Sequence, residues 1–197
     1  MAGPGTAFEV ALYRFLHRAA PERGLTPIAT EVTRGWIVLP DGGLPLGECV
    51  SGTDLVDALV TVLPQYGQLQ RDLAAQVDDL LALGIADMRA AIMPRRFDEA
   101  LEVVAGYIER RGDAADWATY EQLAALSDTF AAWCDRLAQA PAPASLDHND
   151  LHPWNILVPG VNRVSDARFY DWGDSVVAHP FASPSPSDPC LSRTLDG

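Results

Sequence analysis

Cysteine is scarce in this sequence of 197 residues, and its spacing argues against two classes of protein. The chain has three cysteines, Cys49, Cys134 and Cys190, and no Cys-x-x-Cys pair occurs. Disulfide scaffolds use even numbers of cysteines at regular spacings, and zinc knuckles use closely paired thiolates. Both classes are therefore disfavoured.

Basic residues are also few, since 14 Lys and Arg stand against 27 Asp and Glu, for a formal net charge of −13. No run of basic residues occurs. Binding to nucleic acid through a basic face is therefore unexpected, as is adhesion to an anionic membrane. The acidic surface favours cationic substrates, although solubility alone also accounts for it.

Long apolar runs are missing as well. No uninterrupted apolar segment is long enough to cross a bilayer. Residues 1–6 lack the basic flank and the apolar core of a signal peptide. We therefore predict a cytoplasmic protein. Its hydrophobic fraction of 48% is sufficient for a packed core.

Helical periodicity dominates the first two thirds of the chain. Apolar residues recur three and four positions apart, which is the spacing of one helix face. Proline and glycine interrupt this pattern between the segments. The predicted helices cover residues 6–20, 53–63, 66–83, 96–110 and 116–137.

Short apolar runs predict strands at residues 28–32, 36–39, 156–158 and 167–170. The last two are joined by a turn at residues 159–162, so we expect them to form a hairpin. Such a hairpin would bring the residues at its open end close together. Helices and strands together predict an α+β fold.

The most informative segment is residues 148–155, His-Asn-Asp-Leu-His-Pro-Trp-Asn, with Asp-Trp-Gly following at residues 171–173. An Asp, an Asn five residues later and a second Asp before a Gly are the groups that metal-assisted phosphoryl transfer needs. One carboxylate takes a proton from the acceptor hydroxyl, while the amide oxygen and the second carboxylate hold Mg²⁺. The spacing matches the kinase signature His-x-Asp-x-x-x-x-Asn.

These motifs resemble those of the aminoglycoside phosphotransferase family, a branch of the protein-kinase-like fold. Residues 148–157 look like the catalytic loop of that family, and residues 169–174 look like its second metal motif. Residues 35–43 are similar to the strand and hinge that join its two lobes. The resemblance extends over roughly residues 6–182.

The resemblance implies a mainly helical C-lobe that carries the catalytic-loop hairpin, together with an incomplete N-lobe. The expected divisions are an N-lobe remnant and hinge over residues 1–41 and a helical C-lobe over residues 42–182. Residues 183–197 are rich in Ser and Pro, so we expect a disordered tail there.

The resemblance also assigns roles to four motif residues. Asp150 would be the catalytic base, and His148 would brace the loop through hydrogen bonds. Asn155 and Asp171 would be the Mg²⁺ ligands, although each side chain also suits a turn or a cap. His152 is expected to pack or hydrogen-bond inside the loop rather than take part in the chemistry.

The hinge and the first helix complete the comparison. The hinge backbone at Val38, Leu39, Pro40 and Asp41 would contact the adenine of ATP. Glu9 stands where the family places the Glu that orients the phosphate-binding Lys. It also fits a capping box with Thr6 as N-cap, which is the preferred interpretation because no lysine precedes it.

The sequence departs from the family at both ends. A Gly-rich loop and a strand-borne Lys normally precede the first helix, and further helices normally follow the Asp-Trp-Gly segment. We therefore expect a fragment, a mis-assigned start or a degraded copy with an altered end.

The predicted function is an ATP- and Mg²⁺-dependent phosphotransferase acting on a hydroxyl of a small molecule, such as an aminoglycoside, another amino sugar or a choline-like alcohol. A catalytically inactive remnant or binding protein is the alternative. A zinc hydrolase with ligands among His148, Asp150, His152, Asp171 and His179 is a third and weaker alternative.

Overall fold

A computed structural model of the chain describes residues 8–111 and 114–182. Runs of helices and runs of short strands occur within these residues, which confirms the α+β prediction. The helices are α1 (Glu9–Ala19), α2 (Leu46–Cys49), α3 (Gly52–Leu73), α4 (Val77–Ala82), α5 (Met93–Arg111), α6 (Ala114–Ala124) and α7 (Ser127–Ala138). The strands are β1 (Ala29–Glu31), β2 (Trp36–Val38), β3 (Leu44–Pro45), β4 (Ala86–Asp87), β5 (Ser145–Asp147), β6 (Ile156–Val158), β7 (Arg168–Phe169) and β8 (Val176–Ala178).

The described residues divide into two compact units. The first unit holds the chain up to Ala86 together with the chain from Ala144 onward. The second unit is residues 87–143 and contains α5, α6 and α7. The divisions predicted at residues 41 and 182 stay predictions, and the predicted tail over residues 183–197 lies outside the described residues.

The core of the first unit is built from α1, α3 and the strands of the motif region. The predicted apolar stripe of α1 is buried, with Leu12 at 0% and Leu16 at 1% exposure. All three residues of β6 are buried as well. Because β6 and β7 lie inside this core, the loops at their ends have a rigid base.

Antiparallel pairing in the first unit links the hinge to the hairpin. β6 pairs with β7 through Ile156 opposite Phe169, which confirms the predicted hairpin. On its other edge β6 pairs with β3, with Leu44 opposite Val158. β1 pairs with β2 in a separate two-stranded sheet, and β5 pairs with β8.

The predicted break between the helices at residues 53–63 and 66–83 is wrong, because α3 runs through Pro64 without ending. The missing N–H and the ring of a proline weaken a helix interior. Burial of Val62 at 0% and Tyr66 at 3% exposure on either side of Pro64 outweighs that cost. The helical segment ends instead at Leu73, and a 3-10 turn leads into α4.

The single helix predicted over residues 116–137 is also wrong, because two helices, α6 and α7, occupy it. Leu126 donates its backbone N–H to the carbonyl of Leu123 at 3.0 Å, a tight turn that ends α6. The turn lets α7 fold back onto α5, where the rings of Phe130 and Phe97 lie 4.9 Å apart. Tertiary packing decides this break, since both segments have helical periodicity.

No helix among residues 8–111 and 114–182 has the length and apolar character needed to span a membrane.

Candidate active site

The open end of the β6–β7 hairpin brings the two predicted metal ligands together. The backbone N–H of Tyr170 donates to the carbonyl oxygen of Asn155 at 3.2 Å, one residue beyond the last paired residues of the two strands. Asn155 and Asp171 therefore lie at the same end of the hairpin, as the sequence predicts. Their roles as ligands stay predictions.

Asn155 also joins this end of the hairpin to Asp150. Its Nδ2 donates to the backbone carbonyl of Asp150 at 2.9 Å and to the carboxylate Oδ2 at 3.3 Å. Because both partners are acceptors, the amide nitrogen faces Asp150 and Oδ1 remains available for a cation. Asn155 is 4% exposed, whereas the Asp150 side chain is 50% exposed. The buried Asn155 thus orients the Asp150 carboxylate, which remains accessible from solvent.

His148 connects the two motif loops, which are the loop of residues 148–155 and the loop that carries Asp171. Its Nε2 lies 2.8 Å from the backbone carbonyl of Tyr170. Since a carbonyl only accepts, Nε2 carries the proton. Burial lowers the pKa of His148, so the ring is neutral at pH 7. These contacts are those of a brace rather than of a base.

The metal-motif loop has an unusual backbone. Asp171 has φ of 63°, in the left-handed region that residues other than glycine rarely adopt. Its backbone N–H donates to Tyr13 Oη at 3.0 Å. Trp172 follows with 0% exposure and donates its indole N–H to the carbonyl of Phe169 at 3.0 Å. The buried indole anchors the loop while the carboxylate of Asp171 stays exposed.

His152 also contacts Asp150. Its Nδ1 accepts the backbone N–H of Trp154 at 3.2 Å, and its Nε2 lies 3.5 Å from Asp150 Oδ2. The ring therefore directs Nε2 at the carboxylate. This agrees with the predicted structural role of His152 inside the loop.

The capping-box interpretation of Glu9 stays a prediction, because Thr6 lies outside the described residues. Within the described residues α1 begins at Glu9, and Phe8 before it already has helical φ and ψ of −70° and −21°. The pKa of Glu9 is raised, mainly by burial and then by the nearby carboxylates of Asp171 and Asp174. Glu9 therefore belongs to the surroundings of the metal motif. These neighbouring carboxylates were not predictable from the spacing of Glu9 and Thr6, because the pattern of a capping box is purely local.

The predicted hinge lies beside the hairpin. The β1–β2 ladder ends at Val38, whose carbonyl accepts the N–H of Ile28 at 2.8 Å. Pro40 has no N–H to offer, so Leu39 and Asp41 are the backbone donors of this segment. The side chain of Asp41 accepts the N–H of Gly43 at 2.9 Å and closes the turn into β3. The adenine contacts at Val38, Leu39, Pro40 and Asp41 stay predictions.

Three buried residues of this region escaped the sequence analysis. Tyr13 and Tyr66 each accept a backbone N–H from a motif loop. Asp147, at 0% exposure, accepts the N–H of Asn149 at 2.8 Å. The two tyrosines lie on apolar helix faces, where nothing in the local sequence indicates a role in the site. Asp147 directly precedes the motif, and that position could have indicated one.

The donor set suits Mg²⁺ rather than zinc. Amide and carboxylate oxygens are the ligands that Mg²⁺ prefers, and it needs only one or two from the protein because water and phosphate supply the others. Asn155 and Asp171 meet that requirement. In the described part of the chain no group of three or more His, Cys, Asp and Glu side chains is arranged to hold a metal ion.

A comparison with known protein families identifies the class of this chain as phosphotransferase. Residues 4–182 match the model of the phosphotransferase enzyme family, APH. The chain belongs to this family, which confirms the resemblance seen in the motifs. None of the curated protein sequences matches it.

Proposed function

We propose that this phosphotransferase transfers the γ-phosphoryl group of ATP to a hydroxyl of an aminoglycoside-like or other small molecule, with Mg²⁺ as cofactor. The contact between Asn155 Nδ2 and Asp150 Oδ2 at 3.3 Å carries the proposal. It joins the predicted base to a predicted ligand of the cation. The protein-kinase-like division into an N-lobe and a helical C-lobe is part of the same proposal.

Asp150 acts as the base in this proposal. Its carboxylate is half exposed, so an acceptor hydroxyl can reach it and hand over its proton as the oxygen attacks phosphorus. Asn155 and His152 contact Oδ2 of this carboxylate at 3.3 and 3.5 Å, which restricts its orientation. Orientation of this kind supplies a large share of the rate of phosphoryl transfer.

Asn155 Oδ1 and the Asp171 carboxylate would hold the cation. Mg²⁺, when bound, would neutralise charge on the β- and γ-phosphates. The exposed carboxylates of Asp171 and Asp174 and the half-buried carboxylate of Glu9 create a negative potential that attracts a divalent ion.

The acceptor would be a polyol or amino alcohol. The formal net charge of −13 favours a cationic acceptor over an anionic one, because the protein field raises the local concentration of cations. Aminoglycosides and other amino sugars have this charge. A choline-like alcohol has it as well.

Asp150→Asn tests the base directly. Purified protein is incubated with ATP, Mg²⁺ and a panel of aminoglycosides, amino sugars and choline, and ADP release is measured. Loss of a general base lowers kcat by about 10²- to 10⁴-fold, while the circular dichroism spectrum should not change. Asp166→Asn, which removes an exposed carboxylate paired with Arg163, is the matched control and should retain the rate. A folded Asp150→Asn variant that releases ADP at the wild-type rate would contradict the assignment.

A binding protein without turnover is the second candidate, and one observation favours it. None of the 197 residues is a lysine, so a lysine contact to the phosphates cannot come from these residues. Glu9, which orients that lysine in the family, has a pKa raised by burial and neighbouring carboxylates rather than lowered by a cation. Saturable ATP binding without ADP release in the presence of every acceptor would establish this candidate.

A further inference from the structure

Two buried tyrosine hydroxyls accept hydrogen bonds from the backbone of the motif loops. Tyr66 Oη, on α3, accepts the N–H of His148 at 2.8 Å. Tyr13 Oη, on α1, accepts the N–H of Asp171 at 3.0 Å. The tyrosines are 3% and 1% exposed, so their hydroxyls are shielded from water. Each loop thus receives one hydrogen bond from the hydrophobic core.

These hydrogen bonds fall where the backbone is strained. Asn149, which follows His148, has φ of 61°, and Asp171 itself has φ of 63°. A residue other than glycine keeps such a conformation only where its surroundings impose it. The tyrosine contacts are part of those surroundings, since each holds an N–H at or next to the strained residue.

The two contacts are connected through the site. His148 Nε2 bonds the carbonyl of Tyr170, so the loop held by Tyr66 is tied to the loop held by Tyr13. The ring of Tyr66 also packs edge-on against Phe169 of β7 at 5.2 Å. A chain of hydrogen bonds therefore runs from α3 through both loops to α1. Phenylalanine would fill the same space as either tyrosine but would offer no acceptor.

We propose that Tyr13 and Tyr66 are positioning residues: Tyr13 holds Asp171 in the geometry that binds the cation, and Tyr66 holds the loop that presents Asp150 to the acceptor. This inference rests on the proposed function. It makes a further claim, namely that each hydroxyl oxygen acts on one loop. The effects of the two tyrosines are therefore separable.

Amide hydrogen exchange followed by NMR tests the contacts without any need for turnover. In the wild type we expect the N–H groups of Asp171 and His148 to exchange slowly, although the Asp171 side chain is exposed. Tyr13→Phe should speed exchange at Asp171 by about tenfold or more and Tyr66→Phe should do so at His148, because each change leaves a donor without its acceptor. Tyr120→Phe, on α6, is the matched control and should alter neither amide.

Cation binding and kinetics test the separation of roles. Tyr13→Phe should raise the Mg²⁺ concentration for half-saturation by roughly 10- to 100-fold, the usual effect of removing a residue that orients a metal ligand. This is measured from the Asp171 amide resonance with a non-hydrolysable ATP analogue. Tyr66→Phe should weaken Mg²⁺ binding less than Tyr13→Phe does and should lower kcat with little change in the KM for the acceptor.

The results distinguish a failure of this inference from a failure of the proposed function. Weaker Mg²⁺ binding and faster exchange in Tyr13→Phe, in a protein that turns over no acceptor, would support the positioning role of Tyr13 and reject the proposed reaction. Wild-type exchange at both amides in the two folded variants would overturn the inference, whatever the activity. Rapid exchange of both amides in the wild type would overturn it without any variant.

Discussion

Substitution of Gly43 by alanine should damage the junction between the hinge and the hairpin. Gly43 has φ of +101°, and a Cβ at this position would lie 2.3 Å from the carbonyl oxygen of Val158. Carbon and carbonyl oxygen normally approach no closer than about 3.3 Å. The clash is therefore about 1 Å deep and is made with backbone, which a side-chain rotation cannot relieve. Relief requires β3 to move away from β6.

The magnitude follows from comparison with Gly52→Ala. Gly52 also has a positive φ, +57°, but a Cβ there meets nothing within 4 Å. In the control, the left-handed conformation is the only unfavourable contribution, about 1 kcal/mol. Gly43→Ala has a similar conformational cost, and it also weakens the short β3–β6 ladder. Loss of about two hydrogen bonds at roughly 1 kcal/mol each brings the total to about 3 kcal/mol.

Urea denaturation measures this difference. With a slope of about 2 kcal/mol per M, the midpoint of Gly43→Ala should lie about 1 M below that of Gly52→Ala. Gly43→Ala should also release ADP more slowly, because the displaced segment adjoins the predicted adenine contacts. Equal midpoints for the two variants would refute the reasoning, since they would mean that the close approach of Gly43 to β6 costs nothing.

Three further substitutions have defined outcomes. Pro64→Ala should raise the free energy of unfolding by about 3 kcal/mol in urea titrations, because an exposed helix position regains a backbone N–H; a loss of stability would contradict this. Phe169→Ala should cost about 3–5 kcal/mol, whereas Phe181→Ala, at 73% exposure, should stay within about 0.5 kcal/mol; equal effects would show that the β7 side chain is not in the core. Glu9→Gln should increase the melting temperature at pH 7, because the raised pKa of Glu9 means that its ionised form disfavours folding. This gain should be small, since the carboxylate is only half buried, and should vanish below pH 4.5, where Glu9 is protonated in both states; a gain that persists at pH 3 would contradict the assigned cause.

Local spacing was sufficient to predict the hairpin that carries the candidate site. Two short apolar runs flank a turn, and strands joined by a turn pair antiparallel, so the ends of the runs had to meet. The positions of Asn155 and Asp171 followed from that pairing, and the observed register agrees with it. The family was also predictable, because its motifs combine residue types with intervals that chance seldom reproduces.

Helix boundaries were less predictable because they depend on burial. Proline at residue 64 indicated a break, and the uninterrupted pattern of residues 116–137 indicated continuity. The structure has the reverse in both places. The free energy of packing side chains such as Val62 or Phe130 is comparable with the cost of one proline or one turn, and it is not visible from neighbours in sequence.

The sequence by itself determined which groups are present for chemistry: the carboxylate of Asp150, the amide of Asn155 and the carboxylate of Asp171, at intervals that a hairpin converts into proximity. Only the tertiary structure decided how these groups are held. Tyr13 and Tyr66 reach the motif loops from positions 158 and 82 residues away along the chain. Contacts between residues so far apart depend on how α1 and α3 pack around the hairpin, because no local pattern relates a core tyrosine to a distant backbone N–H.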